Sequence, residues 1–259
     1  MGAVVGEICI VVACTQDYYK RAAPLWHSLK QLPYRKQLLC IDFKAELEGF
    51  ETASCKLQDL KSYRTDFPSN RKFYVCAEGG EFLDYFDYKD EDIIVHIDAD
   101  MIVQRDFNQY ELTTLNNLKF GEVAGNIFSK PYTTLREEFW KLKPKRGFNA
   151  TRQEYNINWN QPMICAGLVA CRVDTYRDII QKYYLSGINT MVDNFDHHAA
   201  GQWLMNYIIY KYGKMEFMPM EFHNADWFID TETSVKNKKL YFKDKLVMFN
   251  HTKFNSIYE

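Results

Sequence analysis

Two aspartates one residue apart, Asp98 and Asp100, interrupt an apolar run: Ile93 to Val103 reads IIVHIDADMIV. In an extended segment residues i and i+2 project to the same side, so both carboxylates can reach one point. Two carboxylates brought together repel each other, and their pKa values climb. A hard divalent cation with oxygen ligands relieves the repulsion, and the same cation can bridge a diphosphate and neutralise it as it leaves. Taken alone, the pair also fits a solvated strand end or a helix cap. What favours a site is the context, because apolar chain flanks the acids on both sides.

Other residues with usable chemistry admit two readings each. His251 follows an apolar run and reads as a nitrogen ligand or as a surface histidine. Arg71 and Lys72 read as cations facing an anionic ligand or as a solvated helix end. Gly167 lies within an apolar strand, where a glycine allows close backbone approach. His96, inside a strand, reads as structural, and Asp196 before His197 and His198 reads as the cap of a helix. The acids between Asp84 and Asp92 read as solvated surface. Lys141 to Arg146 (KLKPKR) reads as a loop, with contact to anionic lipid or an anionic acceptor as the lesser alternative.

The elements that must carry these residues follow from pattern. Ile8 to Cys14, Gln37 to Phe43, Asp92 to Ile97, Phe120 to Ile127 and Met163 to Cys171 are apolar, β-branched runs that predict buried strands. Met215 to Met218 and Leu246 to Phe249 predict short late strands. Helical spacing predicts helices over Asp17 to Leu32, Asp174 to Tyr184 and His197 to Tyr212, and one from Ser69 or Asn70 through Tyr74 to Phe86 that Gly79-Gly80 weakens. Strands alternating with helices predict an α/β fold with an open, mostly parallel sheet flanked by helices. In such sheets ligands sit beyond the carboxyl ends of the strands.

The bulk numbers narrow the class. The chain has 259 residues, 47% of them hydrophobic, with a net charge of -2. That is enough for one sizeable core, and it lacks the basic face of a nucleic-acid binder. Seven cysteines without a C-x-x-C pair argue against a zinc site. Most lie in apolar runs, as buried free thiols do, which predicts a reducing, cytoplasmic setting. No stretch is long and apolar enough to span a membrane, and the first strand does not resemble a signal peptide.

The Asp98-Ala99-Asp100 segment resembles the Asp-x-Asp signature of GT-A glycosyltransferases. An ordered series of short motifs over most of the chain is most similar to the glycogenin-like and lipopolysaccharide galactosyltransferase group. The turn after the first strand, Ala13-Cys14-Thr15-Gln16-Asp17, is similar to the one that holds the nucleotide in that group. Asn70-Arg71-Lys72 matches the start of a helix bearing a basic group toward the donor. Cys165-Ala166-Gly167-Leu168 resembles the strand lining the sugar, with Cys165 where asparagine is usual. Gln202-Trp203-Leu204-Met205-Asn206 resembles a helical motif near the anomeric carbon, without its neighbouring acids. Phe217-Met218-Pro219 resembles the strand before the acceptor side. Val247 to Phe254 (VMFNHTKF) resembles the late histidine motif, without the Gly-Pro and Lys-Pro-Trp that often follow.

The resemblance implies a single GT-A domain. Residues 1 to about 105 would bind the nucleotide, and the remainder up to 259 the sugar and acceptor. It implies Mn²⁺ or Mg²⁺ on Asp98, Asp100 and His251. The nucleotide-sugar donor would lie against Ala13, Cys14, Thr15, Asp17, Arg71, Lys72, Asp98, Ala99, Gly167 and Lys253. A UDP-sugar is favoured over a GDP-sugar, and the acceptor would be a hydroxyl of a glycan, glycolipid or protein. Gln202 is the expected catalytic residue of a retaining transfer, with Asp196 as the alternative carboxylate. Trp227 would stack on a sugar or merely pack. Two rival enzymes share parts of this pattern. A haloacid-dehalogenase-type phosphatase carries its Asp-x-Asp nearer the start of the domain. A nucleotidyltransferase wants a glycine-rich loop after the first strand, and Thr15 to Lys20 has no glycine.

Overall fold

Strand β1 (Ile8–Thr15) is buried over nearly all its length because it has neighbours on both edges and cover on both faces, which is why it reads as a continuous apolar run. The computed structural model describes residues 6–63, 78–127, 134–137, 157–187, 200–225 and 232–251. Beside β1 lie β2 (Arg35–Ile41) and then the polar edge strand β3 (Glu51–Cys55), all parallel. On the other side lies β4 (Ile93–Ile97), also parallel to β1. Three more strands complete the sheet: β6 (Glu122–Ile127), β7 (Ile164–Arg172) and β8 (Lys214–Phe217). The order of the seven strands is β3-β2-β1-β4-β7-β6-β8. Only β7 runs against the rest, since it is antiparallel to both β4 and β6 while β6 and β8 are parallel. The α/β, mostly parallel expectation therefore holds.

The chain leaves β1 to one side, toward β2, and later returns to its other side as β4. That reversal makes the crevice at the carboxyl ends of β1 and β4 the natural ligand position of this sheet.

The helices differ from the pattern in two places. The first is split into α1 (Gln16–Arg21) and α2 (Ala23–Lys30) at Ala22. Pro24 explains the break, because a proline fits only the first turn of a helix, where its missing N–H is not needed. The predicted helix ending at Phe86 does not continue past the glycines. Gly80 takes φ +73°, and Glu81–Asp84 forms a single 3-10 turn. A side chain at Gly80 would also strike the ring of Tyr176 at 2.3 Å. The earlier part of that helix, from Ser69 or Asn70 to residue 77, lies outside the described residues.

Helix α3 (Gln109–Asn116) opens with a reciprocal capping box between Asn108 and Glu111. Helix α4 (173–187) passes through a π-turn at Tyr176–Gln181. Helix α5 (Ala200–Tyr212) lies against β7, fastened by Asn206. The Asn206 side chain accepts from Ile164 N at 2.8 Å and donates to Ile164 O at 3.0 Å.

Two small sheets flank the large one. In the first, β13 (Phe249–His251) lies between β5 (Met101–Val103) and β9 (His223–Ala225). The second is a meander of β10 (Thr233–Lys236), β11 (Lys239–Phe242) and β12 (Lys245–Leu246). Its two turns, Asn237-Lys238 and Lys243-Asp244, have positive φ at both central residues, as two-residue hairpins prefer.

Candidate metal centre

Asp98 leaves the end of β4 with its N–H donating to Gly167 O on β7 at 2.8 Å. Met101 N then donates back to Asp98 O at 3.3 Å. Asp98-Ala99-Asp100 is thus a tight turn between β4 and β5 and not the extended segment expected from i, i+2 spacing. The turn buries Ala99 and leaves both acids half-buried, so the carboxylates converge by a different route.

His251 reaches them through sheet register. On β13 it pairs with Met101 of β5 and with Ala225 of β9, which sets it one residue beyond Asp100. Its Nε2 lies 2.9 Å from Asp100 Oδ1 and 4.0 Å from Asp98 Oδ2. One ligand atom from each of the three residues falls within 4.8 Å of the others. The segment before β13 is clamped by the residues that follow β5. Gln104 N donates to Met248 O at 2.8 Å, and its side chain donates to Val247 O at 2.8 Å. Arg105 donates to Leu246 O at 2.9 Å and Glu221 O at 3.0 Å, and its guanidinium forks onto the buried Glu111 at 2.6 and 2.7 Å. Such a fork holds geometry well, because both partners are planar.

Burial and neighbouring charge act on this cluster. Burial, and then the neighbouring charge of Asp100, push the Asp98 carboxyl up to about 6, against a smaller pull from His251. Burial alone would depress His251, but hydrogen bonds to Asp100 and Cys165 and the Asp100 charge hold it well above its ordinary value. Two carboxylates and an imidazole that converge in this way are a donor set that a divalent cation fits, with two oxygens and one nitrogen.

The other predicted site residues divide into three groups. Ala13 and Cys14 end the buried part of β1, and burial pushes the Cys14 thiol far up. Thr15 is half-buried at the strand end, and Asp17 is exposed in the first turn of α1, at the same sheet edge as Asp98. Gly167 is opposite Asp98, and Gln202 is half-buried in the first turns of α5, where its carbonyl accepts from Asn206 at 2.9 Å. Arg71, Lys72, Asp196 and Lys253 lie outside the described residues, as do His197, His198 and Trp227. His96 is buried, as a structural histidine should be, and burial lowers it to about 4.

Two participants carried no signal in the sequence. Glu78 accepts a hydrogen bond from Tyr184 OH at 2.7 Å and packs against Gly201, the residue before Gln202. Burial raises it to about 8, with a smaller push from the Asp98 charge. His223, on β9, lies beside His251 with ring centroids 5.8 Å apart. Burial, with a lesser push from His251, pulls it down to about 3. An open cleft of about 460 Å³ lies at the opposite edge of the sheet, lined by Glu7, Arg35, Tyr88 and Asp92 among others, and is remote from these groups.

No family model and no curated relative matches the sequence. Solved structures do match. The galactosyltransferase LgtC, in complex with donor and acceptor sugar analogues, aligns with a TM-score of 0.57 at 13% identity, over 95% of this chain and 87% of that one. An active-site mutant of LgtC gives 0.58 at 14% identity, with the same coverage. The likeness is one of fold: this chain has the GT-A, Rossmann-like architecture of those structures.

Proposed function

We propose that this chain is a metal-dependent glycosyltransferase that moves a sugar from a nucleotide-sugar donor, a UDP-sugar in the first instance, to a hydroxyl of a glycan, glycolipid or protein, with retention. The observation that carries the reading is the convergence of Asp98, Asp100 and His251 at the carboxyl edge of an LgtC-like sheet. These three residues would hold Mn²⁺ or Mg²⁺, which when bound supplies charge to stabilise the departing diphosphate. Residues 1 to about 105 bind the nucleotide at the end of β1 around Thr15 and Asp17, and the rest of the chain supplies the sugar and acceptor pockets. Arg71, Lys72 and Lys253 add positive charge against the phosphates. Gln202 faces the anomeric centre, and an amide there is a poor base, which suits retention better than inversion. Asp196 is the carboxylate that an inverting route would use. The free thiols support a reducing, cytoplasmic setting: among the described residues six cysteines are unpaired and five of these are buried. Among the described residues no helix is long and apolar enough to cross a membrane.

The test is substitution at the acids. Asp98→Ala and Asp100→Ala should each abolish sugar transfer and Mn²⁺-dependent binding of UDP while circular dichroism stays that of the parent. Full activity of the parent in excess chelator would sink the metal-dependent reading.

A further inference from the structure

Behind the aspartates, His251 turns its other ring nitrogen toward a different set of donors. Nδ1 lies 4.0 Å from Sγ of Cys165 on β7. His223 flanks it from β9, whose register with β13 is fixed by the Phe249–His223 pairing. One ligand atom each from Cys165, His223 and His251 falls within 4.8 Å of the others, and all three side chains are buried. The His223 ring carries a buried nitrogen, Nε2, with no hydrogen-bond partner among the described residues. A buried nitrogen left in that state is unfavourable, so its environment calls for an explanation.

We propose that Cys165, His223 and His251 form a second, thiophilic cation site that takes Zn²⁺, and that filling it withdraws His251 from the aspartate pair. One sulfur and two imidazole nitrogens suit zinc, whereas Mg²⁺ and Mn²⁺ prefer the oxygens of Asp98 and Asp100. On binding, the Cys165 thiol releases its proton to solvent and the ligand atoms draw in to the roughly 3.5 Å separations that zinc bond lengths imply.

Competition follows from the imidazole itself. A neutral ring has one nitrogen lone pair to give. When Nδ1 gives it to zinc, Nε2 carries the proton and donates to Asp100, the carboxylate–histidine–zinc arrangement that orients such ligands. When Nε2 gives it to the ion on the aspartates, Nδ1 carries the proton and faces Cys165. One histidine thus stands between an oxygen-rich and a sulfur-containing centre and serves one at a time. The withdrawal rests on the glycosyltransferase reading of the aspartate centre, whereas the zinc site does not.

The experiment uses the full chain, freed of metal, and two variants. Co²⁺ should produce a thiolate-to-metal charge-transfer band in the near ultraviolet that Zn²⁺ displaces. Cys165→Ser should lose the band, and His223→Asn should weaken Co²⁺ binding at least about tenfold, as loss of even an outer partner does at metal sites. Should Cys165→Ser fail to fold by circular dichroism, His223→Asn carries this arm. Calorimetric titration of UDP with Mn²⁺ then reads the withdrawal. One equivalent of Zn²⁺ should weaken UDP binding at least tenfold in the parent and leave His223→Asn unaffected. Absence of the band, or its persistence in folded Cys165→Ser, overturns the site. A normal band with UDP binding indifferent to Zn²⁺ overturns the withdrawal. Failure of the parent to bind UDP with Mn²⁺ alone counts against the glycosyltransferase reading and with it the withdrawal, while the Co²⁺ result still decides the zinc site.

Discussion

Gly167 and Asp98 face each other across the β4–β7 ladder so closely that a methyl group on Gly167 would sit 2.1 Å from Oδ2 of Asp98. The glycine therefore provides the space that the carboxylate occupies. Gly167→Ala should turn the Asp98 side chain aside or part the strands, at about 1–3 kcal/mol of stability for the overpacking. Mn²⁺-dependent UDP binding should fall at least tenfold while the fold persists. Calorimetric titration beside a urea melt checks both, and an unchanged affinity would show that Asp98 is not held in place as a ligand.

At the proposed metal centre protons and a cation would compete for the same atoms. Binding requires Asp98 ionised and His251 neutral, and both groups hold their protons more tightly than usual: Asp98 up to about 6 and His251 well above its ordinary 6.5. Mn²⁺ affinity should consequently rise with pH and begin to fall, on acidification, before 6.5 is reached. His251→Gln should remove the upper part of that dependence and leave a weaker one near 6. The Mn²⁺ dissociation constant measured between about pH 5.5 and 8.5 is the check. A flat profile down to 6.5 in the parent contradicts it.

Glu78 makes a prediction about stability that does not involve the metal. Its folded pKa is raised from 4.5 to about 8 by burial, so between those values the folded state keeps a proton that the unfolded state has lost. The unfolded state then binds fewer protons, and stability must decline as pH rises from about 4.5 to about 8. Glu78→Gln keeps the neutral shape and should flatten that decline, making the variant the more stable form at pH 8. Urea denaturation at pH 5, 6.5 and 8 measures it. Parallel curves for the two proteins would mean that Glu78 is ionised in the native state.

The stereochemical course separates Gln202 from Asp196. Retention is expected, with Gln202→Ala losing most of kcat and Asp196→Asn keeping it. NMR of the first-formed product gives the anomeric configuration directly. An inverted product, with the two variants exchanging their effects, would assign the chemistry to Asp196.

How much of this was legible in the chain depended on the range of the interaction involved. β1, β4 and β7 were plain, because strands buried on both faces need unbroken apolar runs. β3 was not, since an edge strand reading ETASC carries no such signature. The helix predicted up to Phe86 failed on a local fact, the left-handed conformation of Gly80, reinforced by a distant one, the Tyr176 ring against it. The aspartates were found by type and spacing, although a turn and not an extended strand brings them together. His223 was passed over because its place beside His251 depends on the parallel pairing of β9 with β13, which no periodicity encodes. Glu78 escapes a sequence reading for a similar reason: what raises its pKa is burial against α4 and α5, both remote in sequence.

The pairing of β13 with β5 also has a temporal side. During synthesis β1, β4 and both aspartates emerge from the ribosome well before His251 does, so a nascent chain holds an acidic pair with no imidazole to complete it. The strand order likewise requires β7 to insert beside β4 and β8 to close the far edge after long intervening segments have been made. Contacts this distant along the chain form late and slowly. If the proposed centre takes a cation, gripping it would report that the late strands have docked, and a truncated or stalled polypeptide would lack that grip even with β1 and β4 in place.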